Sequence, residues 1–325
     1  MRAVVVSRAG GPEVLELKTI PTPAPVEGQV LIRVRAFGLN RAELFTRQGD
    51  SPSVKFPRVI GIECVGEVVA APGTALQPGQ KVAAMMGGMG REFDGSYAEY
   101  TRVPADHVFP LETDLDWAVL GALPEMFQTT NGSLTVGLEL QPGETLLIRG
   151  GTSSIGRTAA VLAKQLGATV IATSRSEAKA QALLDAPDSP VDHTIVDTGS
   201  IASAVRERWP GGVDRVLELV GTATLLDSLK CARPGGVVCM TGILGSSWSL
   251  PGFTPMGDIP TGVKLTSYSG GSGDVSLEAL QGYVDAVAAG RTPVNLGRTF
   301  TLEELPEAHR YMEANKARGK LVVLV

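Results

Sequence analysis

The segment that most constrains the fold runs from Glu144 to Gly167 and reads ETLLIRGGTSSIGRTAAVLAKQLG. Its first part, Thr145–Ile148, is a short apolar run typical of a buried strand. Gly167 is placed to end a helix. Small residues separate strand from helix, so the N–H groups at the helix start would be open to a pyrophosphate. The segment predicts a dinucleotide-binding unit, in which the helix packs on a sheet through apolar residues at helical spacing: Ile155, Ala159, Leu162 and Leu166.

The turn in this segment departs from the usual glycine pattern. It reads Gly150-x-x-Ser153-x-x-Gly156, with serine where the G-x-G-x-x-G fingerprint has its central glycine. A glycine-rich turn alone is weak support, because many turns hold glycine for geometry only. A second predicted strand at Thr169–Thr173 supplies the context that favours a cofactor site.

The residues after that second strand indicate which cofactor is used. In a dinucleotide-binding unit this end meets the adenosine ribose, where an acidic residue selects NAD and basic or hydroxyl groups select NADP. Here the strand ends in Ser174 and Arg175, Lys179 follows one helical turn later, and Glu177 is the only nearby acid. Ser176 could instead cap a helix and leave both cations solvated, and for Lys179 the sequence does not separate the two interpretations. We predict NADPH.

Composition bounds the class of protein. At 325 residues, with 43% hydrophobic and 19% charged residues, the chain predicts two folded domains rather than disorder. A net charge of −5 gives no basic footprint for nucleic acid. No apolar run is long enough to span a membrane, and the first residues carry no signal-peptide pattern. Cys64, Cys231 and Cys239 form no C-x-x-C pair, so we expect reduced core thiols and a cytoplasmic location.

The pattern of elements changes along the chain. Residues 1–110 hold short predicted strands separated by Pro/Gly turns, which indicates a mostly antiparallel β domain: Ala3–Ser7, Gln29–Phe37, Glu63–Ala70 and Lys81–Ala84. From Glu144 strands and helices alternate, which predicts an α/β protein with a doubly wound parallel sheet. The later expected elements are strands His193–Val196, Val213–Val220, Gly236–Gly242, Val263–Ser269 and Lys320–Val325, and helices Thr222–Ala232 and Ser276–Gly290. A cleft between two such domains is a natural place for cofactor and substrate to meet.

Several segments, in order and spacing, carry a resemblance over the whole chain: Gly38–Leu44, Gly61–Glu63, Val65–Val68, Asp94–Tyr100, Leu123–Thr129, Gly150–Gly156 and Gly319–Val323. The chain resembles a medium-chain dehydrogenase/reductase of the zinc-independent branch that contains the quinone oxidoreductases and zeta-crystallin. The resemblance implies a Rossmann-type domain at 124–267 that binds NADPH. It implies a GroES-like substrate domain made of residues 1–123 together with 268–325.

The resemblance also bears on metal binding. Zinc-dependent members carry a ligand cysteine early in the β domain and a Gly-His-Glu motif some 20 residues on. Here Asn40 and Gly61-Ile62-Glu63 stand at these places, and no group of cysteines follows Met85. Ile62 cannot bind a metal and Asn40 is a poor zinc ligand, so we expect no metal. Without a Lewis acid, conjugated acceptors are the easier substrates, which favours reduction of quinones or small α,β-unsaturated carbonyls.

The resemblance implies a set of cofactor-binding residues. Asn40 and Thr129 would line the nicotinamide side, although a capping role for Asn40 and a hydroxyl bonded back to its own helix for Thr129 are the alternatives. The others are Ser153, Ser154, Ile155 and Gly156 for the pyrophosphate, Ser174, Arg175 and Lys179 for the 2′-phosphate, Val220, Thr241, Gly242 and Ile243 for the second half of the cofactor, and Asn315 from the returning tail.

No residue is assigned as catalytic. Many relatives carry a tyrosine in the loop after the Asn40 motif, which enoyl reductases use as an acid, but here the loop Gln48–Pro52 has none. That absence counts against the alternative of an enoyl-thioester reductase. Tyr97 is expected to be a packed aromatic residue, and solvent would protonate the product. A non-enzymatic NADPH sensor or structural protein is the other alternative.

We also expect a homodimer. The strand Val263–Ser269 is predicted at the end of the parallel sheet, where an uncovered edge invites pairing. The preceding segment, Trp248–Phe253, would expose apolar residues unless it folds back as a lid on its own subunit. The family commonly joins its cofactor domains through this edge.

Overall fold

The computed structural model describes residues 1–186 and 189–325. It divides into two compact units, one formed by Met1–Gln128 with Gly271–Val325 and the other by Thr129–Gly270. The boundaries expected from the sequence, after residues 123 and 267, each lie a few residues earlier. Which unit binds substrate and which binds cofactor remains a prediction.

The strands, in chain order, are β1 (Arg2–Val6), β2 (Leu15–Thr19), β3 (Gln29–Gly38), β4 (Arg58–Val59), β5 (Glu63–Ala70), β6 (Lys81–Met85), β7 (Tyr100–Pro104), β8 (Val108–Pro110), β9 (Thr145–Arg149), β10 (Thr169–Ser174), β11 (His193–Val196), β12 (Val213–Glu218), β13 (Ala232–Met240), β14 (Lys264–Ser267), β15 (Leu296–Thr301) and β16 (Lys320–Leu324). The helices are α1 (Arg41–Gln48), α2 (Trp117–Leu120), α3 (Pro124–Gly132), α4 (Ser154–Gln165), α5 (Glu177–Leu184), α6 (Ala202–Arg208), α7 (Thr222–Cys231), α8 (Pro255–Asp258), α9 (Leu277–Ala288) and α10 (Leu305–Glu313).

The first unit is built on two β-sheets. The larger has the order β15-β16-β3-β5-β6-β8, with β7 also paired to β3, and its pairs are antiparallel except β15 with β16. The smaller has the order β2-β1-β4 and is antiparallel. Their common core includes Ile32, Phe37 and Phe300. The last strand of the chain, β16, pairs with β3, so the returning tail completes this unit.

The second unit is a parallel sheet of order β11-β10-β9-β12-β13-β14. Strands β9 and β10 are nearly continuous runs of buried residues, as expected of a sheet covered on both faces. Helix α4 buries Ala159 and Leu162. Leu166 was expected on the same apolar face, and this was wrong: it follows the last residue of the helix and is 37% exposed. Gly167 has a φ of +84° and ends the helix as predicted.

The predicted α/β fold class, with a parallel Rossmann-like sheet and a separate mostly antiparallel unit, is confirmed. The sequence patterns did not predict five strands that are short or partly exposed: β2, β4, β7, β8 and β15. Their alternation of apolar and polar residues is too brief to stand out from a loop. Within residues 1–186 and 189–325, no helix is both long and apolar enough to cross a membrane.

Candidate functional site

The turn between β9 and α4 leaves no space for side chains at its glycines. Gly150 has a φ of +90°, in the left-handed region that favours glycine. A Cβ on Gly156 would lie 2.5 Å from the Gly150 carbonyl oxygen, and a Cβ on Gly151 would lie 2.7 Å from Cβ of Ala172. The N–H groups of Gly150 and Gly151 donate to the hydroxyl and carbonyl oxygens of Thr173, both at 3.1 Å, which fixes the turn to β10. Such a turn lets a ligand approach the backbone closely.

Ser153, at the unusual position of the fingerprint, braces the turn. Its hydroxyl donates to the Gly150 carbonyl at 2.8 Å and accepts from the Gly156 N–H at 3.0 Å, so it is the N-cap of α4. A glycine could make neither bond. The hydroxyl is engaged in this way, and the groups suited to an anion are the N–H groups of the first helical turn, which includes Ser154 and Ile155.

The predicted 2′-phosphate residues lie at the end of β10. Ser174 is buried, and its hydroxyl accepts from the Ser176 N–H at 3.2 Å. Ser176 in turn caps α5, accepting from the Lys179 N–H at 3.4 Å. Arg175 and Lys179 are exposed. The alternative role of Ser176 as a helix cap is therefore confirmed. Binding of a 2′-phosphate by Arg175 and Lys179 stays a prediction.

The remaining predicted residues of this unit gather at the carboxyl ends of neighbouring strands. Because β10, β9, β12 and β13 are adjacent and parallel, the residues that follow them lie along the same carboxyl-terminal side of the sheet. Val220 follows β12, and its N–H donates to the Glu218 carboxylate at 2.7 Å. Thr241, Gly242 and Ile243 follow β13, and a Cβ on Gly242 would lie 2.5 Å from the Leu219 carbonyl oxygen. Open α/β sheets generally bind their ligands outside the carboxyl ends of the strands.

Thr129 is linked by hydrogen bonds of Ser133 to Thr241, at the carboxyl-terminal side of the same sheet. The Ser133 hydroxyl donates to the Thr129 carbonyl at 2.6 Å and lies 2.9 Å from the Thr241 hydroxyl. The predicted positions 129 and 241 therefore lie close together within the second unit.

A buried charge network beneath the turn was not anticipated. Arg149, the last residue of β9, has no exposed side-chain surface and pairs with both oxygens of Asp197, at 2.9 and 3.0 Å. It also donates to Asp227 at 2.6 Å. Burial alone would raise the pKa of the Asp197 carboxyl, but the Arg149 bonds outweigh it and the pKa is lowered. The one sequence signal was a charged residue ending an apolar strand.

In the first unit, Asn40 is held between two charged groups. It lies between β3 and α1, is 8% exposed, and its amide nitrogen donates to Glu63 at 2.9 Å. Its amide oxygen accepts from the Lys320 ammonium at 2.5 Å. Lys320 also pairs with Glu63 at 2.9 Å and with Glu125 at 3.3 Å. Burial by itself lowers the pKa of Lys320, but the carboxylates of Glu63 and Glu125 outweigh it and the pKa is raised.

A second buried chain of hydrogen bonds starts at the backbone of Asn40. Its N–H and that of Ile62 donate to the Glu43 carboxylate at 2.7 and 3.0 Å. Tyr97 donates to the same carboxylate at 3.0 Å, and its oxygen lies 2.9 Å from Nε2 of His309. Burial raises the pKa of Glu43 to about 7. Tyr97 is fully buried and stacks on Phe37, so its expected packing role is confirmed.

The far end of this chain fixes the tautomer of His309. Its Nδ1 lies 3.2 Å from Arg47, whose guanidinium can only donate. The ring proton therefore resides on Nε2 and points to Tyr97. Burial, with a smaller effect of Arg47, lowers the pKa of His309 to about 3. The histidine is therefore neutral and serves as a hydrogen-bonded structural residue.

Asn315 lies at the end of α10 and not in a buried site. It has a φ of +53°, its side chain is exposed, and its amide oxygen accepts from Arg41, the neighbour of Asn40. Its N–H donates to the Met312 carbonyl at 3.0 Å, which is a helix-ending turn. Its predicted cofactor contact stays a prediction.

Comparison with known proteins bears on this geometry. Residues 26–113 match the model of the alcohol dehydrogenase GroES-like domain, and residues 189–323 match a model described as zinc-binding dehydrogenase. A quinone oxidoreductase of Pongo abelii is 30% identical over 100% of this chain and 98% of its own length. The chain belongs to the quinone oxidoreductase branch of the medium-chain dehydrogenase/reductase superfamily. As a quinone oxidoreductase-branch member it is an oxidoreductase.

Two other similar proteins have names or titles that state a substrate or a cofactor. A 2-haloacrylate reductase of a Burkholderia species is 30% identical over 99% of the chain and 98% of its own length. A mycobacterial protein solved in complex with NADPH is 26% identical, with a TM-score of 0.86 and coverage of 100% of both chains. Among the residues that the structure describes, no three His, Cys, Asp or Glu side chains cluster to suit a metal ion.

Proposed function

We propose that this oxidoreductase uses NADPH, without zinc, to reduce quinones or small α,β-unsaturated carbonyl compounds. The observation that carries the proposal is the set of groups around Asn40. The position where zinc-dependent relatives hold a ligand carries an amide bonded to Glu63 and to Lys320. A zinc ion does not suit these residues, because the Lys320 ammonium lies 2.5 Å from the amide oxygen and the side chain of Ile62 has no donor atom.

The second unit fits a phosphorylated dinucleotide. The glycines of the turn Gly150–Gly156 let α4 start close against the sheet, because a Cβ at Gly151 or Gly156 would meet Ala172 or Gly150. A pyrophosphate would be held by N–H groups of the first turn of α4. Arg175 and Lys179 are exposed beside the end of β10, where a 2′-phosphate would be bound. The NADPH complex of the mycobacterial relative supports this choice. When bound, NADPH supplies the hydride.

The substrate class follows from what the protein does not provide. Without a metal to polarise an isolated carbonyl, the acceptor itself must spread the negative charge that arrives with a hydride. Quinones and activated alkenes do this by conjugation. The names of the Pongo abelii and Burkholderia relatives include one substrate of each kind.

Water is proposed as the source of the proton. The Tyr97 hydroxyl is fully buried and bonded to Glu43 and His309, so it is not placed to reach a substrate. The Lys320 ammonium is committed to Asn40, Glu63 and Glu125.

A substrate panel tests the proposal. Purified protein is mixed with NADPH or NADH and with ortho-quinones, para-quinones, enones, an enoyl-thioester or simple alcohols with the oxidised cofactors, and cofactor absorbance is followed. Zinc content is measured on the same sample, with and without a chelator. We expect turnover of quinones or enones with NADPH, far less than one zinc per chain, and negligible alcohol oxidation.

Other outcomes would point elsewhere. Alcohol oxidation with stoichiometric zinc would overturn both the chemistry and the role of Asn40. Preference for the enoyl-thioester would favour the lipid or polyketide reductase alternative. Tight NADPH binding without turnover of any acceptor would favour a sensor or structural protein.

A further inference from the structure

The partners of Asn40 determine which way its amide faces. Amide oxygen and nitrogen are ordinarily hard to distinguish, and the orientation must be inferred from the hydrogen bonds. Here a carboxylate, which can only accept, faces one end, and an ammonium, which can only donate, faces the other. Rotating the amide by 180° would place its oxygen against Glu63 and its N–H groups against Lys320. Both contacts would then be repulsive, so one orientation is enforced.

The two partners are themselves rigid. Glu63 begins β5 and Lys320 begins β16, and their side chains are 0% and 3% exposed. A Cβ on Gly38 would lie 2.3 Å from Cε of Lys320 and 2.5 Å from the Glu63 carboxylate, so the backbone of β3 closes over the pair. Glu63 also accepts from the Glu125 N–H at 2.9 Å. The amide is therefore preorganised by groups that cannot rearrange easily.

The enforced orientation gives Asn40 a defined chemical character. Its amide nitrogen carries two hydrogens, and the bond to Glu63 uses one. The other makes Asn40 a hydrogen-bond donor, suited to an oxygen that becomes negative. In the opposite orientation the same side chain would present a lone pair and repel such an oxygen.

Charge alone does not explain the role of Lys320. Its single positive charge is matched against the carboxylates of Glu63 and Glu125, so the cluster as a whole is not positive. These carboxylates oppose any direct electrostatic effect of the ammonium on a substrate. What remains is its effect on the orientation of the amide.

We propose that Lys320 and Glu63 are positioning residues that hold the Asn40 amide as a hydrogen-bond donor to the substrate oxygen. The proposal rests on the function proposed above. The substrate gains a hydride from NADPH, which becomes NADP⁺, and a proton from water. Between these events the negative charge lies on the substrate oxygen, where the Asn40 N–H stabilises it.

The test uses the double variant Lys320→Met/Glu63→Gln. It removes the charges of Lys320 and Glu63 together, so that Glu125, whose side chain is 11% exposed, loses only its 3.3 Å contact with the ammonium. The glutamine side chain can donate or accept, so the amide orientation is no longer enforced. We expect kcat for a quinone to fall by about 100-fold, as for loss of one preorganised donor. KM and the Kd for NADPH, measured by calorimetry, stay unchanged. Lys81→Met, which removes a lysine bonded to the Thr113 carbonyl of the same unit, is the matched control and keeps full kcat.

A double-mutant cycle with Asn40→Ala distinguishes a positioning role from a nonspecific structural effect of the substitutions. Asn40→Ala should lower kcat by a similar factor, and adding Lys320→Met/Glu63→Gln should lower it no further, because both act through one amide. Independent, multiplying losses would overturn the inference and indicate a merely structural role. Full kcat in the double variant would overturn it too. If the wild type does not reduce quinones, that result would instead contradict the proposed function.

Discussion

Glu43 gives the protein a distinctive pH response at the scale of a single residue. Burial raises the pKa of its carboxyl from 4.5 to about 7. Because the folded-state pKa is the higher one, Glu43 favours the folded state at low pH, and this contribution is lost as pH rises through about 7. The contribution of Glu43 to the free energy of unfolding should fall by on the order of 3 kcal/mol between about pH 4.5 and pH 7.5.

The measurement is the free energy of unfolding in denaturant as a function of pH, for wild type and Glu43→Gln. The variant is expected to lose this decline, whatever its absolute stability. Glu278→Gln, an exposed glutamate of the same unit, should keep the wild-type profile. Parallel profiles for wild type and Glu43→Gln would contradict the prediction.

Arg175 is the residue on which cofactor choice is predicted to depend. Its exposed guanidinium lies at the end of β10, where it can form a charge-assisted bond to a 2′-phosphate. We expect NADPH to bind at least tenfold tighter than NADH, which corresponds to about 1.4 kcal/mol. Arg175→Ala should weaken NADPH and leave NADH nearly unchanged, as measured by calorimetry. Arg310→Ala, an exposed arginine of the other unit, should change neither, and an equal loss for both cofactors would count against the role of Arg175.

At the scale of elements, Arg149 connects β9 to the residue that follows β11 and to helix α7. Replacing it with Met leaves the buried Asp197 and the partly buried Asp227 without their partner, which should cost about 3–5 kcal/mol. The free energy of unfolding measures this loss. Lys164→Met, which breaks a half-exposed pair with Asp192 in the same unit, should cost less than about 1 kcal/mol. Similar costs for both variants would show that the buried network contributes little.

The elements of the second unit were largely predictable from sequence, and the charge networks were not. Strands β9 and β10 are mostly apolar runs bounded by turn residues, and α4 combines a start and a stop signal with helical spacing. By contrast, Arg149 meets Asp197 across 48 residues and Lys320 meets Asn40 across 280 residues. No local pattern encodes such contacts. They arise only when parallel strands, or the returning tail, bring distant positions together.

At the scale of the whole molecule, β14 is the end strand of the parallel sheet, and Trp248 and Met256, which precede it in the chain, are 54% and 100% exposed. We predict a two-fold symmetric homodimer through this edge. Light scattering should give twice the chain mass of 33.9 kDa. Trp248→Lys should shift the mass toward one chain, whereas Val136→Lys, at another exposed apolar residue, should not. A single-chain mass for the wild type would favour a lid on its own subunit.

The ammonium beside Asn40 also limits how this protein could be converted into a metalloenzyme. Grafting the two missing ligands, by Asn40→Cys and Ile62→His, would leave Lys320 where it now contacts residue 40, as a built-in cation competing with zinc. We expect zinc affinity to stay weak in that double variant and to rise only when Lys320→Met is added, as titration with a competing chelator would measure. With lysine at position 320, supplying the two ligands alone is therefore not expected to create a zinc site.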